Sequence, residues 1–315
     1  MQVIDMVKPF GNNKGASALS VVVVIGFIAV IALLLPNITP YFGISPVKTL
    51  TVPPTEGVIA TGLSYPSSIT PQSTFGVSFL LLNNLNGKDA SNVNLCLDNL
   101  GLFTLTSGGR CVVVPSLFAG GSLSESYSLQ SPPASAYGDI PYAQIVGYYI
   151  NFSYGSSSVQ SLQFVSQGTS SGVPAPQAAS FDSSAGPVSV SSSAQQPIVY
   201  GQDAQLSVDI QNVGTGIVVG EMTITLSMNS SIINISSARN YGFTPVSYPN
   251  GTVVFTAQKY LGQSSLSIIL PVSLNPSEES KLSDSGVPYV TSNINMHISY
   301  SYEEDGFFQV KLLSQ

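Results

Sequence analysis

Few side chains of this chain could do chemistry. The 315 residues include two cysteines, one histidine, and nine basic against sixteen acidic residues. Cys96 and Cys111 flank the turn sequence SGGR, so a disulfide across a hairpin is one expectation and two unpaired thiols are the other. Their spacing excludes the closely spaced cysteine pairs that bind zinc. His297 alternates with apolar neighbours, which predicts a place on the polar face of a strand, without a second histidine to share a metal.

Two other kinds of motif are polar. The three carboxylates of the run Glu303 to Gly306 could bind calcium, but they lack the alternating ligand spacing of an EF-hand loop. A solvated hairpin tip is the expected structure there. Asn-x-Ser/Thr sequons predict candidate glycosylation sites, and they stand at Asn37, Asn151, Asn229, Asn234 and Asn250.

Composition and motifs together argue against catalysis. The sequence has no nucleophile elbow, phosphate-binding loop or dinucleotide fingerprint. A serine nucleophile would need a base, and the single histidine is badly placed to be one. Charged residues make up 8% of the chain and the net charge is −7, so no basic patch is available for nucleic acid. We therefore expect a protein that is not an enzyme, with no catalytic residues, metal or cofactor and no nucleic-acid partner.

An uncharged apolar run at residues 16–35 predicts a transmembrane helix. At about 1.5 Å per residue its length is about 30 Å, the thickness of a bilayer core. Pro36 ends the run, and Lys8 and Lys14 precede it. The positive-inside rule then places residues 1–15 in the cytoplasm as a short inner tail and residues 36–315 outside. The lipid bilayer is the expected partner of residues 16–35.

The fate of this apolar segment has three interpretations. A permanent signal anchor is the leading one. A removable signal peptide is disfavoured, because the run is long and ends in a poor cleavage sequence. The segment beginning Lys14-Gly15-Ala16 resembles the class III signal of archaeal type IV pilins, and this resemblance implies processing between Gly15 and Ala16.

Beyond residue 50, apolar and polar residues alternate with period two, which indicates half-buried strands. Three sequence blocks recur in the same order, and their equivalent ranges are 69–83 and 198–212, 122–133 and 265–276, and 141–154 and 288–300. The repetition predicts a duplicated β domain. We expect one core around Val77, Phe79 and Leu81, and a second around Leu206, Val208 and Ile210.

The predicted fold class is an all-β ectodomain of two tandem Ig-like antiparallel β-sandwiches, plus one N-terminal transmembrane α-helix. The predicted segments after the helix are a Pro-rich stalk at 36–55, the first sandwich at 56–166, a Ser/Gly/Pro/Ala linker at 167–185 and the second sandwich at 186–315.

The second copy resembles the CARDB-type and S-layer-associated Ig-like domains of archaeal surface proteins. The similarity rests on Gly201 to Gly214 and on Ile298 to Gly306, and it covers residues 190–315 better than residues 55–165. It implies an extracytoplasmic Ig-like fold with a structural or adhesive role.

These observations predict a membrane-anchored, extracytoplasmic structural or adhesive protein of an archaeal cell envelope. Two alternatives stay open, and the first of them would have the same composition and topology. One is a spike or vertex component of an archaeal virus, anchored in the viral membrane, and the other is a pilin-like filament subunit. The expected partners are other envelope or virion proteins, or further copies of this chain.

Overall fold

A computed structural model describes residues 57–85, 87–138, 140–166, 180–181 and 186–314. The predicted inner tail, transmembrane helix and stalk lie outside this part of the chain, together with Lys14, Gly15, Ala16 and Asn37. Most of the predicted linker lies outside it as well. Within the part that is described, no helix combines the length and the hydrophobicity needed to cross a membrane.

The described residues are mainly extended. The strands of the first copy are β1 (Val58–Ser64), β2 (Ser68–Ile69), β3 (Thr74–Asn83), β4 (Ala90–Leu97), β5 (Thr104–Ser107), β6 (Cys111–Leu117), β7 (Ser122–Gln130) and β8 (Tyr142–Val165). A 3-10 turn at Ala134–Ala136 precedes β8.

The remaining strands are β9 (Ser180–Phe181), β10 (Val188–Ala194), β11 (Ile198–Val199), β12 (Ala204–Asn212), β13 (Ile217–Asn229), β14 (Ile233–Asn234), β15 (Thr244–Ser247), β16 (Thr252–Tyr260), β17 (Ser265–Leu274) and β18 (Tyr289–Leu312). A 3-10 segment spans Ser236–Tyr241, and the helix α1 spans Pro276–Ser285. The Asn275 side chain caps α1 by accepting a hydrogen bond from Ser277 N at 3.1 Å.

The strands form three sheets that are antiparallel except at short pairings. Two sheets have four strands each, in the orders β1-β3-β7-β5 and β10-β12-β17-β14. The third sheet has ten strands, and its main path runs β15-β16-β13-β18-β8-β4-β6. The short strands β2 and β11 join its long strands in parallel, and β9, from the predicted linker, pairs with β8.

Two very long strands hold the ten-stranded sheet together. β8 and β18 have 24 residues each and pair in one uninterrupted antiparallel register. At about 3.4 Å per residue the paired length is about 80 Å. Tyr154 and Tyr300, which are equivalent in the sequence repeat, pair directly with each other. An approximate twofold axis therefore crosses the sheet at this point, which we call the waist.

Burial alternates along both long strands, and the even-numbered residues face the core. Both four-stranded sheets therefore cover the same face of the long sheet, and the opposite face is open to solvent. Phe79 of β3 shows this packing, because its ring lies 5.0 Å from Tyr148 of β8 and 6.3 Å from Phe308 of β18. The predicted core positions are confirmed, since all six are buried: Val77, Phe79, Leu81, Leu206, Val208 and Ile210.

The prediction of a solvated hairpin tip at Glu303 to Gly306 is wrong. These residues lie inside β18 and pair with Asn151 to Tyr148 of β8. Neighbouring residues of a strand point to opposite faces, so the three carboxylates do not converge on one site. Gly306 is required at its position because a Cβ there would lie 2.2 Å from Cζ of Tyr148.

The strand β3 ends on a buried asparagine. Asn83 is 0% exposed, and its Nδ2 donates to the carbonyl oxygens of Lys88 at 3.1 Å and Leu117 at 2.8 Å. Its Oδ1 accepts from Leu85 N at 3.0 Å. One side chain thus satisfies three backbone groups where the chain leaves the sheet.

Asn212 is the equivalent residue at the end of β12. Its Nδ2 donates to the carbonyl oxygens of Gly216 at 2.8 Å and Gly262 at 3.1 Å. Its Oδ1 accepts from Gly214 N at 3.2 Å and from the Tyr302 hydroxyl at 3.1 Å. The asparagine shared by the two sequence copies therefore has the same bracing role in both.

Alkaline pH should destabilise the fold through Tyr127. This residue of β7 donates its hydroxyl proton to Leu95 O of β4 at 2.8 Å, which links two layers of the core. Burial, with a smaller contribution from Glu125, raises the pKa of Tyr127 from about 10 to about 12. The folded state holds the proton more tightly, so the stabilisation is complete below about pH 10 and is lost as the pH rises to about 12. Thermal unfolding of the full chain should therefore show a falling Tm in this range.

The variant Tyr127→Phe should reduce that alkaline loss, because the titrating hydroxyl is absent. Tyr260 is 72% exposed, so Tyr260→Phe is the matched control and should leave the pH profile unchanged. A Tm that stays constant up to pH 12 would contradict the prediction.

Candidate functional site at the waist

A cleft lies on the open face of the long sheet, at the waist. Its volume is about 960 Å³. The floor is formed mainly by Ser153 and Gly155 of β8 and by Ser299 and Ser301 of β18. Charged and imidazole side chains line it from both flanks and from β18, and they are Lys88, Asp89, Glu221 and His297; Tyr154 and Tyr300 also line it. We call this set the waist cleft.

Both strands that flank the long pair are irregular beside the cleft. The pairing of β4 with β8 shifts register between Ser91 and Asn94, and the pairing of β13 with β18 shifts between Val219 and Thr223. Each irregular stretch contains one residue with left-handed backbone, Asn92 (φ 52°) in β4 and Gly220 (φ 72°) in β13. Bulges bend a strand locally and often occur beside functional sites. Here they occur on both sides of the same point.

The floor is built from short side chains that hydrogen-bond to one another. The hydroxyls of Ser153 and Ser301 are 3.4 Å apart across the central strands, and the Ser91 hydroxyl donates to Ser153 O at 3.4 Å. Such hydroxyl groups can both donate and accept hydrogen bonds. The floor is therefore polar without being charged.

His297 packs over a glycine. A Cβ on Gly155 would lie 2.9 Å from Cε1 of His297, so the imidazole ring occupies the space that any larger residue would need. His297 Nδ1 and the Ser157 hydroxyl are 3.1 Å apart. The histidine is exposed, as predicted for the polar face of a strand.

Lys88 is fixed at the edge of the cleft. Its Nζ donates to Gly155 O at 3.4 Å and lies 5.9 Å from the centroid of the Tyr154 ring, a cation–π distance. Asp89 accepts a hydrogen bond from Ala119 N at 3.0 Å through Oδ1. With Glu221, the cleft has two carboxylates against one ammonium group, so its charge does not favour an anionic ligand.

The lining of the cleft can both donate and accept hydrogen bonds. A serine nucleophile needs a base that a third group holds in place. His297 does contact Ser157, but in the described part of the chain no carboxylate hydrogen-bonds to His297. In the same residues, no three His, Cys, Asp or Glu side chains are close enough together to hold a metal ion.

The two cysteines lie away from the cleft. Cys96 of β4 and Cys111 of β6 are opposite each other in register, and a disulfide joins them. Cys96 also pairs with Tyr149 and is only 3% exposed, although its strand position predicts that it points away from the core. The disulfide partner and the neighbouring strands cover it.

The candidate glycosylation sites differ in environment. Asn151 is half-buried within β8, and its Nδ2 donates to Glu303 Oε2 at 3.4 Å. Asn234 is half-buried in β14. Asn229 and Asn250 are exposed at turns, and their Oδ1 atoms accept hydrogen bonds from the backbone N–H groups of Ser231 and Thr252, each at 3.0 Å.

Sequence reasoning singled out His297 but not the cleft around it. The available signal was the run Gly155 to Ser158, which places glycine and serine inside an otherwise alternating apolar strand. Isolated glycine in a strand pattern indicates a close backbone approach or a bulge. The other cleft residues come from separate strands, and serines of this kind occur throughout the chain.

No protein-family model and no curated protein sequence matches this chain. Among solved structures, the C-terminal globular domain of an oligosaccharyltransferase from Pyrococcus abyssi is similar over 82% of this chain, with 8% identity and a TM-score of 0.25. This chain corresponds to 50% of that structure's length.

Two further solved structures are similar at the same low level. ACE of Enterococcus faecalis matches 81% of this chain and 96% of its own, with 8% identity and a TM-score of 0.19. The collagen adhesin of S. aureus matches 80% of this chain and 92% of its own, with 10% identity and a TM-score of 0.14. At such scores the similarity does not identify a function, so function has to be argued from the residues themselves.

Proposed function

We propose that this chain is a non-enzymatic structural or adhesive protein, anchored by residues 16–35 and displayed outside an archaeal cell envelope as two Ig-like sandwiches. The observation that carries the proposal is the unbroken pairing of β8 with β18 over all 24 residues of each strand. It joins the two halves of residues 57–314 without a break in the ladder. A protein that spaces or presents other molecules needs this stiffness.

Two further features support an exposed location. The Cys96–Cys111 disulfide is suited to an oxidising compartment. The open face of the long sheet carries mostly hydroxyl and amide side chains in its second half, including Thr225, Asn293 and Asn295. A neutral polar surface keeps a protein soluble outside the cell without depending on charge.

Surface labelling tests the proposal. An antibody against residues 57–314 should label intact cells or particles of the source, and added protease should remove the label. The chain should also remain in the membrane fraction after an alkaline carbonate wash. Labelling only after permeabilisation, or release of the chain by carbonate, would refute the extracytoplasmic anchor.

We also propose that Asn229 and Asn250 carry N-linked glycans. Both are exposed, and Asn229 pairs with Thr252 in the ladder, so the two sites share one end of the paired strands β13 and β16. The intact mass of the native protein should exceed the polypeptide mass by at least two glycans. Asn229→Gln and Asn250→Gln should each remove one, whereas Asn151→Gln should remove none. A native mass equal to that of the polypeptide would contradict this.

The same mass spectrum separates the alternatives for the N-terminus. A chain that begins at Met1 fits a permanent anchor in an envelope or in a virion, and co-purification with one or the other then decides between them. A chain that begins at Ala16 fits the pilin-like filament subunit.

A further inference from the structure

The waist cleft is formed by small residues on the two central strands and by bulges in the two strands beside them. Every second residue along β8 and β18 would ordinarily present a side chain to the open face. At the waist those positions hold Ser153, Gly155, Ser299 and Ser301, and none is larger than serine. The two bulged strands beside them interrupt the ladder on both flanks. The small residues leave space above the two central strands, and the bulged parts of β4 and β13 border that space on either side.

One residue other than glycine with a left-handed backbone also lies at this site. Asn92 has a φ of 52°, and few residues other than glycine adopt such values. Its Nδ2 is 3.5 Å from the Ser153 hydroxyl, which belongs to the floor of the cleft.

The chemistry of the lining selects among ligand classes. Apart from Tyr154, Tyr300 and two glycines, the residues that line the cleft are polar or charged, which disfavours lipids and other wholly apolar molecules. The floor strands pair with neighbours on both sides, so a peptide cannot add to them as a further strand. Two carboxylates against one ammonium group disfavour phosphate and other anions.

We infer that the waist cleft binds a neutral oligosaccharide. Sugar rings carry adjacent hydroxyl groups that both donate and accept hydrogen bonds, as serine hydroxyls do. Asp89 and Glu221 accept from such hydroxyls, and Lys88 donates to them. The cleft is wide open, with a volume of about 960 Å³, so it suits a ligand that lies along the surface of the sheet. The inference names the ligand class for the proposed adhesive role and rests on that role for the biological source of the glycan.

Titration calorimetry with the full chain in detergent micelles tests the inference. The probes are maltohexaose, cellohexaose, chitohexaose and mannohexaose, with a hyaluronan hexasaccharide as the anionic comparison. At least one neutral probe should bind with a Kd below about 1 mM. Lys88→Gln and Glu221→Gln should each weaken that binding about tenfold, which is the loss expected for one hydrogen bond to a charged group.

Ser299→Tyr should abolish binding by filling the cleft. Ser299 is exposed on the floor of the cleft, so a tyrosine ring at this position extends into the open space of the cleft. Asn295→Tyr is the matched control, because Asn295 is an exposed residue of the same strand face beyond the cleft, and binding should be unchanged.

Three results would overturn the inference: no binding of any neutral probe, binding of the anionic probe alone, or equal binding by wild type and Ser299→Tyr. Failure of the proposed function is a separate result, because surface labelling does not involve the cleft. The Ser299→Tyr chain should still be labelled on intact cells or particles.

Discussion

Phe152→Ala should lower the free energy of unfolding by about 3–5 kcal/mol, the usual cost of removing a fully buried aromatic ring. Phe152 is 0% exposed at the waist, and its ring centroid lies 5.7 Å from that of Tyr302. Gly57 packs so closely on the ring that a Cβ there would lie 2.4 Å from Phe152 Cζ. With about 2–4 °C per kcal/mol for a domain of this size, the Tm should fall by about 10 °C in a thermal melt of the full chain.

The form of the transition matters as much as its midpoint. Both halves share β8 and β18, so the variant should still unfold in one step at the lower temperature. Phe307→Ala is the control, because Phe307 lies on the same pair of strands but is 72% exposed, and its loss should cost less than about 0.5 kcal/mol. Two separate transitions, with only one shifted, would show that the halves unfold independently.

Asn83→Ala should cost about 3 kcal/mol, although asparagine is polar and alanine is the less costly residue to bury. The substitution leaves Lys88 O, Leu117 O and Leu85 N without their partner in a buried place. An unsatisfied buried backbone group costs about 1–3 kcal/mol, and the surroundings relieve part of the sum. Chemical denaturation should show a lower midpoint with an unchanged slope.

Asn212→Ala should lower the midpoint as well but by less, because Asn212 makes the equivalent bonds in the second copy and is only half-buried. Asn295→Ala, on the exposed face of β18, should change stability by less than about 0.5 kcal/mol. If Asn83→Ala were as mild as Asn295→Ala, the bracing role assigned to the repeated asparagine would be incorrect.

Period-two alternation was sufficient to predict the core-facing residues. Val77, Phe79 and Leu81 are buried as expected, because a strand with one buried face cannot shift register by one residue without exposing all of them. The three repeated blocks likewise occupy equivalent strands, β3 with β12, β7 with β17, and β8 with β18. Local pattern determines which face of a strand is buried, so the sequence alone contains this information.

The lengths of β8 and β18 could not be predicted from the alternation of apolar and polar residues. Gly155 to Ser158 and Glu303 to Gly306 have the composition of turns, yet both lie inside 24-residue strands. Each is held extended by pairing with the other long strand, a contact between residues far apart in the chain. The waist cleft depends on that pairing and on bulges in two further strands, so no local sequence motif predicts it.

Pairing of equivalent residues at the waist has a consequence for assembly. When Tyr154 lies opposite its own counterpart Tyr300, the contact has the self-complementary form of an isologous dimer interface. In a dimer of separate subunits, such a contact is lost on dilution. Here the polypeptide between β8 and β18 tethers the two surfaces and keeps their effective concentration high. The two halves of the sheet therefore stay paired at any concentration of the protein.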